Sequence, residues 1–123
     1  TNVKDLITKE DLEMLELKRK IILVKTKNSY DIMKKYNPKH VAMTPEAAEY
    51  LVEKGITTIG FDYQSFEREG KNVLHKIFMS KDIISIDNLR LKNAEQKEYF
   101  FICLPIKVTG IDGAPARAIL VEK

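Results

Sequence analysis

The stretch TPEAAEYLVEKGITTIGF, Thr44–Phe61, carries a helix and then a strand, and its reading sets the class of the fold. Thr44 is an N-cap, Pro45 takes the first helical position, where a missing N–H is no loss, and Glu46 faces the positive end of the helix dipole. Ala47, Ala48, Leu51 and Val52 then share one face at helical spacing. Gly55 stops the helix directly after Lys54. Ile56–Phe61 is a short apolar, β-branched run, which reads as a buried strand. Asp62 closes it, at the end where strands of open α/β sheets hand polar residues to a cleft.

The same alternation continues outward. Toward the N-terminus, Thr8 caps a short helix with Glu10 and Asp11 in its first turn, and Leu12, Leu15 and Leu17 supply its apolar stripe. Ile21–Val24 reads as a buried strand, and residues 29–36 as a brief helix ended by Asn37-Pro38. Beyond Phe61, polar residues 64–71 form a loop, and Val73, Leu74, Ile77 and Phe78 line a helix over Val73–Phe78. Ile83–Ile86 is a third strand between Asp82 and Asp87. Tyr99–Val108 is a long apolar strand in which Pro105 removes a ladder donor, so an edge or a bulge is expected there. Thr109–Gly113 is a tight turn and Ala116–Val121 a last strand. The pattern predicts an α/β domain with a mixed sheet flanked by helices, about five strands and three or four helices in all.

Composition bounds the remaining choices. With 123 residues, the chain is expected to form a single domain over 1–123. A hydrophobic share of 44% excludes disorder, and no run nears the roughly 18–20 apolar residues of a membrane helix. The net charge of +3 comes from 21 basic and 18 acidic residues that interleave along the chain, which argues against nucleic acid as a partner. The one cysteine, Cys103, cannot form an internal disulfide and lies in an apolar strand, so it reads as structural, and the cytoplasm is the expected compartment.

Chemistry has few places to sit. There is no glycine-rich phosphate loop and no nucleophile elbow. Polar residues at element ends are Asp62, Ser65, Glu67, His75, Asp87 and Asp112. His75 on its short helix and Asp87 at the end of the next strand can reach one end of a sheet, and an imidazole with a carboxylate suits zinc or manganese. Two ligands are too few for a catalytic zinc, which needs three from the protein. His40, with no second histidine near it, reads as a surface residue.

Six segments in order resemble the cyclase family of metal-dependent hydrolases, the group that includes bacterial kynurenine formamidase and isatin hydrolase. Ile7–Leu12 is similar to the family's "I-T-x-E-D-L", Ile22–Thr26 to "I-L-L-x-T", and Thr44–Leu51 to "S/T-x-E-A-A-x-x-L". Gly60–Ser65 resembles "G-I-D-x-x-S", His75 with Asn88-Leu89 resembles "H-x-x-L…E-N-L", and Gly110–Arg117 resembles "G-x-D-G-x-P-x-R". The resemblance implies a swivelling β/β/α-type fold. It places His75 and Asp87 in a metal site holding zinc or manganese, with Asp62, Ser65 and Asp112 as neighbouring or substrate-side residues. Asp87 stands where the family has Glu, and Glu67 where it usually has Asp.

The resemblance is to the C-terminal half of that family. Its signature H-x-G-T-H-x-D-x-x-x-H, which supplies most metal ligands, has no counterpart here. The chain is therefore expected to be part of a hydrolase that cleaves an amide or formamide C–N bond of a small molecule, to be inactive alone, and to work as a homo-oligomer without nucleic acid or membrane. Thr1 in place of Met fits a fragment of a longer protein. The alternative is a non-catalytic cyclase-like module for assembly or small-ligand binding.

Overall fold

The computed structural model describes residues 5–31, 35–68 and 72–123. The chain divides into two compact units, Thr1–Lys92 and Asn93–Lys123. The first unit runs β1 (Leu6–Ile7), α1 (Lys9–Glu13), β2 (Ile21–Val24), a 3-10 turn (Lys27–Tyr30), β3 (Ala42–Met43), α2 (Pro45–Glu53), β4 (Thr58–Phe61), α3 (Val73–Met79) and β5 (Ile84–Ile86). Strands β2, β4 and β5 form a parallel sheet with β4 in the centre, and β1 pairs in parallel with β3. Each step from β2 to β4 and from β4 to β5 crosses over through a helix, as parallel pairing requires.

The capping signals act as the sequence implies. Thr44 Oγ1 accepts from Ala47 N–H at 3.3 Å, Pro45 opens α2, and Gly55 follows it at φ +73°. At α1, Thr8 Oγ1 accepts from Asp11 N–H at 3.4 Å while Asp11 Oδ2 accepts from Thr8 N–H at 2.9 Å, a reciprocal capping box. Ala47, Ala48 and Leu51 of α2 pack with Ile59 and Phe61 of β4 and with Phe66, Leu74 and Phe78, and this apolar cluster is the core.

Several local expectations need correction. Helix α1 ends at Glu13, so Leu15 is exposed, although Leu17 still packs against the core. Strand β2 is half-buried rather than buried, because it lies at the edge of its sheet and Ile21 reaches solvent. Of the helix expected over 29–36, residues 32–34 lie outside the described residues, and what precedes them is the 3-10 turn Lys27–Tyr30. There the Asn28 side chain donates to Val41 O at 3.0 Å and accepts from Val41 N–H at 2.9 Å. Side chains that offer such bonds compete with helical ones. Strands β1 and β3 have two residues each, too few for any periodicity to reveal.

The second unit is an antiparallel hairpin of β6 (Tyr99–Pro105) and β7 (Ala116–Glu122), with Tyr99 opposite Glu122 and Pro105 opposite Ala116. The strand expected to reach Val108 stops at Pro105, which has no N–H to continue the ladder, although Ile106 N–H still donates to Pro115 O at 2.9 Å. The architecture is mixed α/β, as expected, with a parallel sheet and helices in the first unit and an antiparallel hairpin in the second.

Candidate metal centre

The parallel sheet aligns the C-terminal ends of its strands, with Val24 beside Phe61 and Gly60 beside Ile86. Polar residues follow at each end: Thr26 after β2, Asp62 after β4 and Asp87 after β5. The segment carrying Asp87 is pinned to the end of β4, since Asn88 N–H donates to Tyr63 O at 2.8 Å and Leu89 N–H to Phe61 O at 3.0 Å. Asn88 makes this turn at φ +60°, a left-handed conformation that asparagine tolerates.

His75 lies in the first turn of α3. Asn72, at the start of that helix, has φ +49° and makes no capping bond through its side chain. Glu67 does that work from outside the helix. Its Oε2 accepts from Leu74 N–H at 2.8 Å and from His75 N–H at 3.3 Å, and the same oxygen lies 3.4 Å from His75 Nδ1. On its other side the imidazole stacks on Phe66, with ring centroids 4.6 Å apart. Glu67 is 9% exposed and the His75 side chain 31%, so the acid is the inner member and the ring reaches outward.

The approach of Glu67 to Nδ1 is close but not aligned as a hydrogen bond, and His75 Nδ1 and Asp87 Oδ1 are both buried without a hydrogen-bond partner. Burial pushes the Asp87 carboxyl above the usual carboxylate range, while the nearby His75 pulls it back. A buried carboxylate oxygen with no donor, within electrostatic reach of an imidazole, offers the donor types that a borderline divalent cation takes. Among the described residues no group of three or more His, Cys, Asp or Glu side chains is arranged to hold a metal.

The other predicted site residues are placed differently. The Asp62 carboxylate accepts from Thr26 N–H at 2.6 Å, Thr26 Oγ1 at 2.9 Å, Ser29 N–H at 3.1 Å and Ser29 Oγ at 2.6 Å. Those bonds fasten the turn after β2 and are not directed at His75. Ser65 Oγ accepts from Glu67 N–H at 3.2 Å and shapes the approach to that residue. Asp112 is exposed in the connection between β6 and β7, in the second unit. Cys103 is half-buried in β6.

His40 is not a surface residue. It is 1% exposed and stacks on Tyr63 with ring centroids 4.2 Å apart, and its Nδ1 lies 2.9 Å from the Asn37 carbonyl, which makes that nitrogen the donor. Its stacking partner is far along the chain, so local sequence carried no sign of its burial. Sequence reasoning also left Glu67 without a role. The available signal was weak, an acid a few residues upstream of a helix start whose cap position already held Asn72, a residue that usually caps for itself.

The Cyclase family model ("Putative cyclase") matches residues 1–68. The chain is 32% identical to "Cyclase-like protein 1" of Arabidopsis thaliana, over 94% of this chain and 49% of that protein. It is also 32% identical to "Kynurenine formamidase" of Bordetella petrii, over 66% of this chain and 40% of that protein. The solved structure of a predicted metal-dependent hydrolase from Bacillus stearothermophilus superposes with a TM-score of 0.88 and 36% identity, covering 98% of this chain and 58% of that one. The chain spans about half the length of the curated relatives it matches.

Proposed function

The chain belongs to the cyclase family, and on that premise we propose that it contributes His75 and Asp87 to the divalent-metal centre of a hydrolase. The observation that carries this reading is a buried Asp87 oxygen without a donor, within electrostatic reach of the His75 imidazole, at the C-terminal edge of a parallel sheet. Among the described residues only His40 Nε2 and His75 Nδ1 share this lack of a partner, and of the three atoms the Asp87 oxygen is the one carboxylate, a donor type that divalent ions take.

A divalent ion bound there supplies Lewis acidity toward a carbonyl and toward water, the chemistry that opens an amide or formamide C–N bond. The chain's own residues prepare the place. Phe66 and Glu67 hold the imidazole on α3, and the backbone bonds of Asn88 and Leu89 hold Asp87 at the end of β4. Asp62 keeps the adjacent turn closed. Two ligands fall short of the three a catalytic zinc takes from protein, so the remaining ligands come from outside the described residues, and this chain alone is inactive. The substrate is a small molecule, the metal is zinc or manganese, and the working form is a homo-oligomer.

Titration of the 123-residue chain with Zn²⁺ or Mn²⁺, followed by calorimetry, tests the reading. Binding lost in both His75→Ala and Asp87→Asn supports it, and binding that survives both substitutions sinks it. A second reading, a cyclase-like module without a working metal centre, draws on the donor count among the described residues. It predicts no specific uptake of either ion.

A further inference from the structure

We infer that Glu67 is a positioning residue for His75: it sets the imidazole in the tautomer with hydrogen on Nδ1, so that Nε2 is the nitrogen offered to a ligand. The orientation toward a metal rests on the function proposed above, while the tautomer itself does not.

The geometry is asymmetric about the ring. Nδ1 is the buried nitrogen and lies 3.4 Å from Glu67 Oε2. Nε2 is not among the buried, unpartnered atoms, and the side chain is 31% exposed. A carboxylate only accepts, so the Nδ1 facing it is favoured as N–H, and a neutral imidazole then keeps its lone pair on Nε2. Histidines that bind metals usually have their other ring nitrogen held by a carboxylate or carbonyl in this way, which fixes the ring and raises its basicity. Phe66 restrains the ring plane by stacking on it with centroids 4.6 Å apart.

Glu67 is also the cap of α3, so any test must separate the two roles. Both capping bonds and the Nδ1 contact fall on one oxygen, Oε2. Glu67→Gln keeps an acceptor oxygen for the Leu74 and His75 amides while removing the negative charge that favours Nδ1–H.

The experiment is ¹⁵N NMR of the imidazoles in the full, metal-free chain, at a pH alkaline enough to keep them neutral, with His75 assigned through His75→Gln. The expected result in the native chain is Nδ1 in the protonated-nitrogen range and Nε2 in the lone-pair range. In Glu67→Ala the two shifts converge, while in Glu67→Gln, whose amide oxygen still accepts, they move less and the Leu74 and His75 amides keep their hydrogen-exchange protection. A native His75 with hydrogen on Nε2 overturns the inference whatever the variant does. Native shifts as expected but unchanged in Glu67→Ala, which leaves Nδ1 no acceptor, also overturn it, leaving Glu67 as a cap alone. Adding Zn²⁺ then separates the two claims. Movement of the native Nε2 resonance, with an affinity about 10–100-fold lower in Glu67→Gln, supports both. No response to Zn²⁺, even at a concentration high enough to fill a site of two protein ligands, with the tautomer as expected removes the metal reading and leaves the positioning role supported.

Discussion

Gly60 of β4 lies so close to Leu23 of β2 that a methyl group on its Cα would sit 2.5 Å from Leu23 Cδ2 and equally near Leu89 Cδ1. The pairing of β2 with β4 places Gly60 directly beside Leu23, and the backbone bond from Leu89 N–H to Phe61 O brings Leu89 down on the same spot. Glycine here serves close approach, since its φ is not in the left-handed region. Gly60→Ala forces two leucine side chains to move at once. The expected loss is about 1–3 kcal/mol, the range for overpacking, read from the urea midpoint. A variant as stable as the native chain would show that the two leucines yield freely.

Asp62 holds two backbone N–H groups and two hydroxyls of Thr26 and Ser29. Asp62→Ala leaves those donors without an acceptor in a turn that is half-buried, so a loss of about 1–3 kcal/mol is expected. Asp62→Asn retains one acceptor oxygen and should lose less. Equal stability of all three proteins in denaturant would mean that the turn after β2 stands without the carboxylate.

Much of the fold was legible because local chemistry and tertiary structure agree from Thr44 to Phe61: a capped helix, a glycine stop and an apolar strand. The site was legible only in part. His75 and Asp87 could be placed at the ends of neighbouring elements from their spacing and from the family resemblance. Asp62 looked equally free at a strand end, but Thr26 and Ser29, more than thirty residues earlier, absorb it. His40 and Glu67 were misjudged or passed over for the same reason. What buries His40 is the ring of Tyr63, and what gives Glu67 meaning is the helix that starts beyond it. Nothing in hydrophobic periodicity carries such side-chain partnerships.

Asp87→Asn separates metal binding from folding. Because Asp87 Oδ1 has no hydrogen bond to lose, and burial already disfavours its charged form, the metal-free variant should stay within about 1 kcal/mol of the native stability. Its affinity for Zn²⁺ or Mn²⁺ should fall at least tenfold, on the order of what even a supporting residue of a metal site contributes. Chemical denaturation and calorimetry on the same preparation check both halves. A large loss of stability with metal binding retained would make Asp87 a structural residue.

The hairpin offers the clearest test of self-association. Phe100, Ile102 and Leu104 alternate along one face of β6, with Val121 and Ile119 opposite the first two on β7. Phe100 is 62% exposed, Leu104 61% and Val121 43%. A two-stranded hairpin is marginal in water by itself, and a contiguous apolar face of this kind marks an interaction surface. If copies of the chain meet through it, Phe100→Thr combined with Leu104→Thr should lower the mass seen in sedimentation equilibrium to that of one chain, about 14.2 kDa. Threonine keeps the strand preference of both positions, and exposed sites away from the core change stability by only about 0.5 kcal/mol, so the denaturation midpoint of the dissociated form should hold. A native chain that sediments as a monomer at every concentration, or a variant that stays associated, removes this face from the assembly.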